Sequence, residues 1–160
     1  MNGAHLHLVL NHIPLFALLF GGAILLYGRL RDNDFGVRIA LVLFVIAGMA
    51  AGGTYLTGEG AEEVVEGQPN VMHSYIESHE TVALYALIAS VVLGVMALGT
   101  LAFYRSRRIP NPLNNTLLLV AVVALGIIAY TANTGGKISH PELRSGADAV
   151  HSIEEEHDDD

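Results

Sequence analysis

The chain contains no cysteine. Disulfides, thiolate metal sites and cysteine nucleophiles are therefore excluded. Charge is also scarce: Asp, Glu, Lys and Arg make up only 15% of the 160 residues, against 52% hydrophobic. Soluble domains run nearer a quarter charged, so the deficit points to lipid as the solvent. Basic residues are rare, and six of the eight fall in two short segments, Arg29, Arg31 and Arg38 in one and Arg105, Arg107 and Arg108 in the other. No cleavable signal peptide is expected, because no basic run precedes the first apolar segment and no small-residue cleavage site precedes the arginines. No serine stands in a recognisable nucleophile setting, which argues against a hydrolase, and no nucleic-acid partner is expected.

Four apolar stretches remain, at residues 6–27, 37–57, 81–104 and 113–134. A bilayer core about 30 Å thick takes about 20 apolar residues per helix, and each stretch meets that length. The expected fold is all-α: an integral membrane, antiparallel up-down four-helix bundle over residues 1–144. Lys and Arg beside membrane helices stay on the cytoplasmic side. Both arginine segments are then cytoplasmic, and both termini lie outside a bacterial inner membrane. Fourteen of the sixteen acids and all eight histidines fall on the opposite, extracytoplasmic side. The tail, residues 145–160, is acidic with too little apolar content to order itself, and is expected to be disordered.

Individual segments sharpen this picture. A first helix starting at Pro14 would reach Tyr27 in too few residues to span the bilayer, so it must begin near Leu6 with Pro14 inside it. Proline there frees the carbonyl of Leu10. His12 is then submerged, and a polar residue at that depth is expected to face the bundle interior. The small residues of Gly48-Met49-Ala50-Ala51-Gly52-Gly53 allow close helix packing. Glu59, Glu62, Glu63 and Glu66 fit one face of a short extracytoplasmic helix, residues 61–67, ahead of Gly67 and Pro69. On helical spacing His73, Glu77 and Glu80 share a wet face, while Met72, Ile76, His79 and Ala83 share the apolar face leading into the bundle. Gly135-Gly136 is expected to end the fourth helix. Tyr27 and Tyr104 mark one interface, and Tyr55, Tyr75 and Tyr130 the other.

The run His7-Leu8-Val9-Leu10-Asn11-His12-Ile13-Pro14 resembles the start of a bacterial family of four-helix membrane proteins known only as a domain of unknown function. Thr57-Gly58-Glu59, Ala61 to Glu66, His79-Glu80, Gly135-Gly136-Lys137-Ile138 and His140-Pro141-Glu142 add to the likeness. Leu8 stands where the broader family has a proline after its first histidine. Family relatives occur joined to Rieske or cytochrome c domains, so the resemblance implies an electron-transfer setting.

The chemistry implied by these side chains is metal binding. His7, His12, His79 and His140 are the candidate cofactor ligands, and Glu62, Glu63, Glu66, Glu77, Glu80 and Glu142 are candidate metal ligands beside them. Imidazole suits Fe, Cu and Zn, while carboxylates favour harder ions. Two readings follow for a redox centre: a b-type haem held by two histidines, or a non-haem transition metal ion (Fe, Cu or Zn) held by His and Glu in the bundle. Either would serve an electron-transfer subunit working with a periplasmic redox protein or a larger respiratory-type complex. The alternative is a non-enzymatic membrane subunit or metal-binding protein whose polar cluster is structural or docks a periplasmic partner. A transporter fits poorly, because the cytoplasmic halves of the helices hold no polar path.

Overall fold

The computed structural model describes residues 2–69 and 71–144. The expected acidic tail, 145–160, lies outside the described residues. Among those residues the fold is entirely helical: α1 (Gly3–Leu10), α2 (His12–Leu30), α3 (Asp34–Leu56), α4 (Gly58–Val65), α5 (His73–Phe103) and α6 (Asn111–Ser139), followed by a single 3-10 turn, Pro141–Leu143. Four helical segments are long and apolar enough to cross a membrane: Gly3–Leu30, Asp34–Val65, His73–Phe103 and Asn111–Ser139.

Each segment outruns the stretch expected from hydropathy, and the excess carries the polar residues. At 31 residues, α5 is about 46 Å long at 1.5 Å per residue, against a bilayer core of about 30 Å. The run from His73 to Glu80 is therefore helix rather than an approach to it. The first segment is interrupted at Asn11, between α1 and α2. Pro14 has no N–H to offer Leu10, yet Asn11 keeps helical angles, φ −64° and ψ −21°, and Gly3–Leu30 runs on as one helical segment.

Packing runs from α2 to α3, α3 to α5 and α5 to α6, and α6 returns to α2. The interior pairs a few large side chains with many small ones. Phe44, Leu18, Leu25, Leu41, Leu93 and Leu117 are fully buried, filling space between Ala40, Ala47, Ala97, Ala121 and Ala124. Small residues decide how closely helix axes approach when no water drives them together. A Cβ on Gly48 would lie 2.9 Å from the Ser90 carbonyl oxygen and 3.4 Å from the Gly94 Cα. One on Gly21 would lie 2.7 Å from the ring of Phe44. Large apolar side chains such as Phe35, Met49, Leu56 and Phe103 point outward and are exposed.

The arginine-rich end is tied by cross-helix bonds. Asp32 adopts φ 59°, a left-handed conformation that Asp tolerates, and Asn33 then caps α3 by accepting from the Gly36 amide at 3.1 Å. Arg38 pairs with Asp34 at 2.7 Å, and its guanidinium donates to the carbonyls of Tyr104 and Arg107 at 2.9 and 2.8 Å, satisfying the open end of α5. Arg108 pairs with Asp32, which holds that carboxyl below the usual carboxylate range.

The glycine packing gives a contrast that can be measured. Gly48→Ala must push α3 off α5 and is expected to cost about 1–3 kcal/mol, read as a lower thermal unfolding midpoint in detergent. Gly52→Ala, with nothing within 4 Å of its added carbon, should leave the midpoint unchanged or raise it. Equal effects at the two positions would contradict the close approach at Gly48.

Candidate metal centre

Two groups of titratable side chains form at the end opposite the arginine loops. The first stands on α4 and the start of α5. Glu62 stands on α4 and Glu66 one turn further, at its C-cap, and the connection after Gly67 brings His73, the first residue of α5, beside them. One ligand atom from each of Glu62, Glu66 and His73 lies within 4.8 Å of the other two. His73 stands between two carboxylates, with Glu66 at 3.8 Å from Nδ1 and Glu77 at 3.5 Å from Nε2. Glu80 lies close enough to Glu62 for the two carboxyls to interact. Glu62 is half-buried, whereas Glu66 and His73 are exposed. An ion bound at about 2.0–2.2 Å from N and O donors needs only small side-chain rotations to engage all three.

The second group is a pair of imidazoles from α1 and α5. The rings of His7 and His79 lie with centroids 6.4 Å apart and planes at 80°. Both are half-buried. The Nδ1 of His7 lies 3.1 Å from the Thr54 carbonyl and 3.2 Å from the Thr57 hydroxyl. His79 lies over α6, and a Cβ on Gly135 would come within 3.0 Å of its ring. This explains a departure from the expected helix end. Helix α6 continues through Gly135 and Gly136 to Ser139, and Gly135 serves as a space for the histidine rather than as a stop.

The other expected ligands are placed elsewhere. His12 is exposed rather than turned into the bundle. Pro14, Ala17, Leu18, Gly21 and Leu25 hold the buried stripe of α2, and a residue two positions before Pro14 projects to the far side of the helix. There His12 stacks on Phe16 at 6.3 Å, and its Nδ1 donates to the Leu8 carbonyl at 2.7 Å. His140 follows the end of α6 and pairs with Glu142 at 2.9 Å. Glu142's carboxyl is held below its ordinary range, first by a hydrogen bond from its own backbone amide and then by His140. Glu63 is exposed and stands outside the Glu62–Glu66–His73 group.

Protein-family models, curated proteins and solved structures offer no match to the chain. The site must be read from its own geometry.

Helical spacing places His73 on the wet face, apart from the candidate ligands. The signal that would have included it is a pair of i, i+4 couples, Glu62 with Glu66 and His73 with Glu77, separated by a connection with Gly67 and Pro69. The turn through Gly67 and Pro69 brings the end of α4 and the start of α5 side by side.

The placements separate candidate ligands from bystanders. His12→Ala and His140→Ala are expected to retain the wild-type metal content of the purified protein, measured by elemental analysis. Loss of stoichiometric metal from His12→Ala would mean that the exposed face of α2, not the Glu62–Glu66–His73 group, holds the ion.

Proposed function

We propose that this chain is an integral membrane metalloprotein, an up-down bundle of four antiparallel spans with a transition-metal ion bound at its extracytoplasmic end. Insertion is supported by the four long apolar helices and by the large apolar side chains that cover their outward faces. The orientation rests on the arginine-rich loops, which charge bias keeps cytoplasmic. Both termini and the metal site then face the periplasm of a bacterial inner membrane.

The observation that carries the metal reading is the convergence of Glu62, Glu66 and His73 within 4.8 Å. One imidazole and two or more carboxylates form a donor set for borderline first-row ions such as iron, copper and zinc. Glu77 and Glu80, one and two turns along α5, extend the negative field that would draw a cation in. The function proposed is redox: iron or copper at this end exchanging single electrons with a periplasmic redox protein or a larger respiratory-type complex. The family likeness in the first helix supports that setting. A second reading comes from the exposure of Glu66 and His73, whose side chains are about 60% accessible. Such a surface also suits a non-enzymatic subunit that docks a basic periplasmic partner.

Binding of Mn(II) to the full-length protein in detergent, followed by electron paramagnetic resonance, separates the two readings. The metal reading expects saturable binding that weakens at least about tenfold in Glu66→Gln and in His73→Ala, since each removes a ligand. Unchanged affinity in both variants would leave the docking surface as the better account.

A further inference from the structure

His7 and His79 are held by two copies of one arrangement. The end of α3 reads Thr54-Tyr55-Leu56-Thr57-Gly58, and the corresponding part of α6 reads Thr131-Ala132-Asn133-Thr134-Gly135. In both, the pattern is Thr-x-x-Thr-Gly. In both, a histidine from the preceding long helical segment places Nδ1 3.1 Å from the first threonine's carbonyl and 3.2 Å from the second threonine's hydroxyl. The second threonine donates its own proton to the first one's carbonyl, at 2.7 Å from Thr57 and 2.9 Å from Thr134. The first threonine donates to the carbonyl four residues back, Ala50 or Ile127, at 2.9 Å in each case. The likeness stops at the glycines: Gly135 touches the ring of His79, whereas Gly58 has open space beside it.

The contacts fix the protonation pattern of both rings. A carbonyl only accepts, and each second threonine has already committed its proton, so Nδ1 must be the donor on both histidines. Nε2 then carries the lone pair. Neither Nε2 has a hydrogen-bond partner among the described residues. With Nδ1 committed to a carbonyl, each Nε2 keeps a lone pair able to accept from water or to bind a cation. A histidine that binds a metal needs this very arrangement, with one nitrogen tied to a carbonyl so that the other is oriented and basic.

The separation of the rings fits a shared ion. With metal–nitrogen bonds of about 2.0–2.1 Å, two imidazoles on opposite sides of one metal have ring centroids about 6 Å apart. The rings of His7 and His79 are 6.4 Å apart. Among the described residues no carboxylate is hydrogen-bonded to either ring, which distinguishes this donor set from the Glu62–Glu66–His73 group. We propose that His7 and His79 are the two protein ligands of a single bis-imidazole metal centre, with each tautomer set by its own Thr-x-x-Thr-Gly segment. The ligand is a metal that accepts two neutral imidazoles, either haem iron or a bare Cu(I) or Zn(II) ion.

The test uses the full-length protein in detergent, titrated separately with ferric haem, Cu(I) and Zn(II). Haem binding with the low-spin spectrum of two axial imidazoles assigns the haem form; one tightly bound Cu(I) or Zn(II) per chain without haem uptake assigns the bare ion. In either case His7→Ala and His79→Ala should each abolish the tight site, whereas His73→Ala keeps it. Thr57→Val and Thr134→Val, which disturb only the positioning contacts, should weaken binding by about 10-fold or more. Nitrogen-15 resonances of the wild-type imidazoles give a readout that needs no variant to fold: on loading, two Nε2 signals should shift together while both Nδ1 remain protonated. Full occupancy in either alanine variant, or loading that moves neither Nε2 signal, would overturn the proposal. So would failure of all three probes to bind.

Discussion

Helices α3 and α5 meet backbone to backbone at Gly48 and Gly94, and the distance between the two halves of the bundle is set there. With a side chain at Gly48 the Ser90 carbonyl would have to retreat. Everything above this contact inherits its spacing. Helix α3 carries Thr54 and Thr57 upward on one side, and α5 descends from His73 and His79 on the other. In a bilayer the apolar effect does not press helices together, so small residues and cross-helix polar contacts must do so.

The polar contacts are concentrated at the two ends. At the arginine-rich end they satisfy helix termini: Asn33 caps α3, and Arg38 closes α5. These contacts account for their residues fully, because each donor meets an acceptor that would otherwise be open. At the histidine-bearing end the balance differs. His73 sits among glutamates, and the His7 and His79 rings are tied by one nitrogen each. Donor atoms gathered in this way, with ligand lone pairs left over, suit a cation better than they suit packing. The difference between the two ends is the physical basis for placing function at one of them.

Much of the fold was legible in sequence. Hydropathy alone locates four helices, because a segment long and apolar enough to cross a membrane has few other uses. The split between His73 and His79 was also readable, since 3.6-residue periodicity assigns them to opposite sides of α5. The facing of His12 was not. His12 opens α2, and the inward position of Pro14 turns it to the far side, a rotational phase that spacing before the proline does not reveal. Gly135-Gly136 misled for a related reason. Glycine at a helix end commonly stops it, yet here the missing side chain admits a ring from another helix. The grouping of Glu62 and Glu66 with His73 depended on how the connection after Gly67 folds back, which is a tertiary fact.

The central claim is that the histidine-bearing end of this bundle holds transition metal. The most direct measurement is elemental analysis of the full-length protein, extracted from its own membrane without chelators and checked for folding by circular dichroism. The account predicts iron, copper or zinc at one or more equivalents per chain, retained through purification. Folded protein that carries no stoichiometric metal, and that takes up none when each ion or haem is supplied, would contradict it.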